Sequence, residues 1–175
     1  MISVLLLVLQ YKPVQTWIAK KVADHFSQEW KTKVYIGGIY VKPFSSVVLD
    51  SMYVLDQQKD TLVHTPKLTV ELNGFSLFTS IGERKLDFSR LQLDNGSVYL
   101  KKLNDTTSNI DFIVDYFNKP DTTHKKSKPW TLIFEKSIVN NFHFRFKNLT
   151  RDSVISNRIN FDDLQFTTDY APMKS

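Results

Sequence analysis

The sequence predicts an α+β fold made mainly of antiparallel strands: an N-terminal amphipathic helix, then a curved β-sheet with one short inserted helix. Three observations lead there. Between Tyr11 and Trp30 apolar residues recur every four positions, the spacing of one helical face. After Lys31 the apolar period drops to two and stays there for most of the chain, as in half-buried strands. Aromatic residues, which favour strands, are abundant, with 13 Phe, 7 Tyr and 3 Trp. A chain of 175 residues with 42% hydrophobic content has room for one domain, or two small ones, with a real core.

The opening residues 1–10 are apolar up to Leu9 and carry no charge. This run is far short of the roughly 20 residues a spanning helix needs. No Lys or Arg precedes it and no Ala-x-Ala site follows. It reads as the end of a truncated signal anchor, with a signal-peptide core and a buried first turn as alternatives. Leu5, Leu6 and Leu7, with Trp17 and Ile18, are then the membrane-proximal candidates.

Residues 11–31 form the amphipathic helix, with Val14, Ile18, Val22, Phe26 and Trp30 on one stripe, Trp17, Ala19 and Ala23 beside it, and Pro13 in the first turn. Residues 32–117 form a first sheet module. Gly37-Gly38 interrupts the alternation of Val34, Ile36, Ile39 and Val41, which suggests a bulge or bend. A strand over 47–55 leads to the polar turn 56–60, and the strand over 62–72 is interrupted early by Pro66. The strand from Leu86 changes parity at Ser89-Arg90, another bulge signal, and Asp94-Asn95-Gly96 reads as a hairpin turn returning through Val98 and Leu100. A short helix over 108–117 starts with a Ser108/Asp111 capping box and shows the stripe Ile110, Ile113, Val114, Phe117. Residues 118–129 are a basic linker. Residues 130–175 continue the sheet, with Phe142, Phe144 and Phe146 facing away from His143, Arg145 and Lys147. The last strand pattern leaves an edge uncovered, so a piece of a longer protein is expected.

The chemistry classes narrow quickly. Without cysteine there is no disulfide, thiolate zinc site or thiol nucleophile. Phosphate-loop, nucleophile-elbow and zinc-helix motifs are missing from the sequence. His25, His64, His124 and His143 are scattered, and His143 reads as a solvated surface residue. Asp111 and Asp115 share a helix but lie opposite its apolar stripe, as on a solvated face. A net charge of +5 is mild, and the Lys125, Lys126, Lys128 cluster lacks a second basic stripe, so no nucleic-acid partner is expected. The expectation is a non-enzyme with no metal and no cofactor.

What the sequence offers in quantity is apolar strand faces. The candidate lining of a lipid groove is Leu68, Val70 and Leu72, then Leu86 and Phe88, then Val98 and Leu100. It continues with Trp130, Leu132 and Phe134, and ends with Phe142, Phe144 and Phe146. The alternative for any one of them is a closed core against the two helices.

The stretch Pro13-Val14-Gln15-Thr16-Trp17-Ile18-Ala19-Lys20-Lys21-Val22-Ala23, then Thr32-Lys33-Val34-Tyr35-Ile36-Gly37 and Asp56-Gln57-Gln58-Lys59-Asp60-Thr61-Leu62, resembles the start of TamB-type translocation and assembly module proteins of Bacteroidetes-like bacteria. Pro129-Trp130-Thr131-Leu132, the Phe142 strand and Ile159-Asn160-Phe161-Asp162-Asp163-Leu164 fit the same family, which belongs to the AsmA-like, bridge-type lipid-transfer proteins. The resemblance implies a long parent anchored in the inner membrane and facing the periplasm of a Gram-negative bacterium. It implies phospholipid as cargo for the outer membrane, and a partner of the outer-membrane assembly family reached through a C-terminal part this chain lacks. A scaffold or chaperone for outer-membrane proteins and a plain soluble β-sandwich module are the alternatives.

Overall fold

Helix α1 (Lys12–Glu29) carries Pro13 near its start, where a missing N–H costs nothing. Residues 11–42, 46–73, 85–118, 131–151 and 159–174 are described by the structure, a computed structural model. The apolar run 1–10, residues 74–84, most of the basic linker, Trp130 and residues 152–158 lie outside the described residues.

The large residues of the expected stripe pack against the core, but the closest contact of α1 runs through the small residues beside them. Gln15, Ala19 and Ala23 are its buried positions, while Ile18, Val22, Phe26 and Trp30 flank them, partly buried. Alanine has no bulk beyond Cβ, so the helix backbone can come close to strand β1 (Val34–Lys42). The Ser27 hydroxyl fixes the far end: it accepts from the Val34 N–H at 2.9 Å and donates to the Ala23 carbonyl at 2.7 Å.

The sheet is mixed and mostly antiparallel, with eight strands and two helices. Strands β1, β2 (Ser46–Leu55) and β3 (Thr61–Leu72) are successive antiparallel neighbours. Strands β4 (Lys85–Asp94) and β5 (Ser97–Lys102) both pair antiparallel with β3 and parallel with β7 (Lys136–Asn148). They do not fold back on each other. The hairpin expected at Asp94-Asn95-Gly96 is instead a local break in one long line, since β3 pairs across it without a slip: Lys67 with Asp94, then His64 with Ser97. Strand β6 (Thr131–Phe134) and β7 form a second such line beside β4. β8 (Asp163–Lys174) closes the series against β7. The parallel step from β5 to β6 needs a crossover connection, and helix α2 (Asp111–Asn118) lies in it.

One line runs across the whole sheet. At the same level on every strand the pairing has a gap, and across these gaps Gly37 comes opposite Ser51, Ser51 opposite Pro66, Pro66 opposite Asn95, Asn95 opposite Asn141, and Asn141 opposite Asp169. Ser51, Asn95 and Asn141 have φ of 52°, 54° and 45°. These three lie on the lines that run in the same direction. At this crease each strand changes which parity faces the core, as in Val34, Ile36 and then Ile39, Val41 on β1. Because all strands change together, pairing stops at the crease and resumes beyond it without a slip. Pro66 sits mid-strand only because it lies on the crease, where the Thr65 hydroxyl bonds the Lys67 and Asp94 carbonyls at 2.8 and 3.0 Å. The bulge expected at Ser89-Arg90 is also present: the β3–β4 register slips between Glu71 and Leu72.

The closed core sits at one end of the sheet. Ala19, Ala23, Val34, Ile36, Ile39, Val54 and Leu62 are its buried members, with Leu100, Ile110, Phe112 and Ile113 packed against them. Phe112 and Tyr116 of α2 meet Trp30 edge-on at 5.9 and 6.1 Å. Val114, expected on the buried stripe, is 46% exposed, because α2 docks through Phe112 and Ile113 instead. Half of the capping box forms: the Asp111 carboxylate accepts from the Ser108 N–H at 2.7 Å.

Candidate functional site

Directly paired residues project to the same side of a sheet. The pairing therefore assembles apolar rows across several strands. Leu49, Leu68, Leu93 and Val139 form one row, and Val47, Val70 and Leu91 another. Beyond the crease, Val54, Val63, Val98, Phe144 and Phe166 form a third, and Leu100, Phe146 and Leu164 a fourth. Phe88 stacks on Phe134 with ring centroids 5.0 Å apart, and Phe144 stacks on Phe166 at 5.0 Å.

The expected groove residues whose side chains are described thus share one face, in two different settings. Leu100 packs against the helix-covered cluster and Phe142 is buried, so both contribute to closed packing. Leu68, Val70, Phe88, Val98, Phe134, Phe144 and Phe146 are half-buried, and none belongs to the cluster the helices cover. Leu72, Leu86 and Leu132 lie on β3, β4 and β6 at paired positions, and their side chains, like Trp130, lie outside the described residues. Leu91, Leu93, Leu164 and Phe166 join the face without having been named as lining. Their alternation was visible in the sequence, but the partner strands that put them in the same rows were not.

Such a surface has no nucleophile or base to offer. What it offers is apolar area that water covers poorly, worth roughly 0.8 kcal/mol for each CH₂ group a ligand buries there. Trp17 is 61% exposed on α1 and Ile18 is partly buried. Among the described residues no helix is long and apolar enough to cross a membrane.

The core end of this face is held by a polar hub that the sequence did not reveal. Asp56 and Asn109 are 0% and 1% exposed. Asn109 accepts from the Lys101 N–H at 2.8 Å and donates from Nδ2 to the Tyr99 carbonyl and the Asp56 carboxylate, each at 3.0 Å. Asp56 also caps its own turn, accepting from the N–H groups of Gln58 and Asp60 at 3.0 and 2.9 Å. The Lys101 ammonium pairs with Asp60 and, at 3.3 Å, with Asp56. Burial pushes the Asp56 carboxyl up, but Asn109, the Asp60 backbone and Lys101 together outweigh it and hold it below 3.8. Burial pushes Lys101 down, and its bonds to Asp60 and Asp56 more than reverse that.

The opposite face is polar. His143, Arg145 and Lys147 lie there as the alternation predicts, with Tyr99, Lys101 and Gln165 beside them. Arg145 makes a bidentate pair with Asp163, Nε to Oδ1 at 3.2 Å and Nη2 to Oδ2 at 3.1 Å. His143 Nδ1 lies 2.9 Å from the Thr167 hydroxyl. Asp111 is spent on the cap of α2 and Asp115 is exposed, so the two carboxylates form no paired site. No protein-family model matches the chain, and no curated protein and no solved structure matches it.

Proposed function

We propose that the chain is the membrane-proximal segment of a periplasmic protein that moves phospholipid between the inner and outer membranes and so supports outer-membrane biogenesis. One observation carries this reading. On β3, β4, β5, β7 and β8 the apolar residues Leu68, Val70, Leu93, Val98, Phe144 and Phe166 stay half-buried or exposed, outside the cluster that α1 and α2 cover. Large apolar faces left open to solvent mark binding surfaces. Acyl chains suit this one because it is continuous across strands and bears no fixed charge along its rows. The resemblance to TamB-type proteins points the same way, and brings with it the inner-membrane anchor and the outer-membrane partner. No catalytic step is required. Deleting residues 2–9 from the full-length parent is expected to move it from the membrane pellet to the soluble fraction, and continued pelleting would contradict the anchor.

The test is binding of a fluorescent polyene fatty acid to the purified chain. Saturable binding is expected, and Phe144→Asp should weaken it by roughly tenfold or more, the cost of about 1.4 kcal/mol. Phe166→Asp, at a 46% exposed edge position, should do the same without endangering the fold. Unchanged binding in a folded Phe166→Asp variant would sink the acyl-chain reading.

A second reading rests on the edge of the sheet. β8 pairs with β7 on one side, and among the described residues no strand pairs with its other side. An open edge can add the strand of another polypeptide, as a scaffold for outer-membrane β-proteins would. Capture of a β-strand peptide with no binding of the fatty acid would favour it.

A further inference from the structure

The polar face holds a cavity of about 650 Å³ between β5, β7 and β8, on the opposite side of the sheet from the apolar rows. Its walls gather cations against the usual rules of strand pairing. Lys101 and Lys147 are direct partners on adjacent strands, and Arg145 lies two residues from Lys147 on the same face. Like charges placed directly opposite each other destabilise a sheet. Local carboxylates answer only part of this. Lys101 is held by Asp60 and Asp56. Asp163, the register partner of Lys147, gives both of its oxygens to Arg145. Lys147 is exposed; its charge reaches Asp163 and helps to lower that carboxyl, but among the described residues no carboxylate lies within salt-bridge distance of it. Arg145 and Tyr99 also line this space, close enough that Tyr99 affects the Arg145 guanidinium, and Asp60, already paired with Lys101, lies at its wall.

We propose that this cavity binds a phosphate group, with Lys147 and Arg145 Nη1 as its charged donors and the Tyr99 hydroxyl as a neutral one. An oxyanion there relieves the Lys101–Lys147 repulsion and takes charge-assisted hydrogen bonds from donors already positioned. The site is separate from the acyl-binding face and does not depend on it. The phosphate group belongs either to a free anion or to a lipid headgroup.

The experiment is calorimetric titration of the full chain with inorganic phosphate, alongside sedimentation with phosphatidylcholine vesicles containing phosphatidylglycerol. Saturable phosphate binding that falls roughly tenfold or more in Lys147→Gln, and stays unchanged in Lys33→Gln, supports a site for the free anion. Vesicle binding alone, with the same dependence on Lys147 and not Lys33, supports the headgroup. Binding to neither probe, or an equal loss in Lys33→Gln, overturns the proposal. Arg145→Gln provides a second variant, expected to weaken the same titration. Fatty-acid binding should be unaffected by Lys147→Gln, which separates a failure here from a failure of the apolar face.

Discussion

Asn109 bonds four main-chain or side-chain groups from a position with almost no exposure: Lys101 N–H and C=O, the Tyr99 carbonyl and Asp56. Truncation leaves a buried N–H, a carbonyl and part of a carboxylate without partners. Asn109→Ala should therefore cost about 2–3 kcal/mol in urea unfolding, whereas Asn104→Ala on the exposed loop nearby should cost little. The hub also sets an acid limit. Asp56 is held below 3.8 in the folded state. A depressed carboxyl contributes stability above its unfolded value and loses it as pH falls through the folded one. Stability measured between pH 5 and 2 should thus decline in the native chain, and decline less steeply in Asp56→Asn. The turn over 56–60 was legible from its composition. Asn109 was not, because an amide has no periodic signature and its carboxylate partner lies 53 positions away. The left-handed residues were legible only in part. Asn95 looked special, but as a hairpin residue, since Asn tolerates positive φ equally well in a turn and at a break within a strand. Asn141→Val should cost about 1–2 kcal/mol of stability, and Asn141→Gly should be close to neutral.

At the scale of elements, periodicity located α1 within a residue or two and set apart nearly every strand. It found the side of α1 that packs on the core, but not which residues there make the closest contact. Large residues dominated the stripe on α1, while the contact runs through Ala19 and Ala23, whose value is their smallness. Ala19 is 0% exposed, so Ala19→Leu should push α1 off β1 and cost about 1–3 kcal/mol, read from the thermal or urea midpoint. Ala19→Gly should cost less, through helix propensity alone. On α2 the regular turns begin at Asp111 rather than Ser108, and the helix docks through Ile110, Phe112 and Ile113, which leaves Val114 exposed. Strand partners were the larger gap. Alternation says which residues share a side of one strand, but not that β4 and β5 are one line, nor that β7 runs parallel to both.

For the whole molecule, the crease explains how long strands keep one apolar side. A strand of strict alternation would need no correction, but each line here gains a parity change at Gly37, Ser51, Pro66, Asn95, Asn141 or Asp169. Sequence reading caught this at Gly37-Gly38 alone, because a parity change becomes recognisable as a shared crease only when strands are set side by side. Among the described residues the result is a face covered by two helices at one end and uncovered along the rest, with polar residues on its reverse. The central claim is that acyl chains occupy the open part. The most direct measurement is photo-crosslinking in the intact protein, with a photoreactive residue at Phe144 on the apolar face and, separately, at Thr69 on the polar face of β3. Crosslinked material would be identified by mass spectrometry. Phospholipid attached at Phe144 and absent at Thr69 is the predicted result. Protein alone at both positions, or phospholipid equally at both, would contradict it.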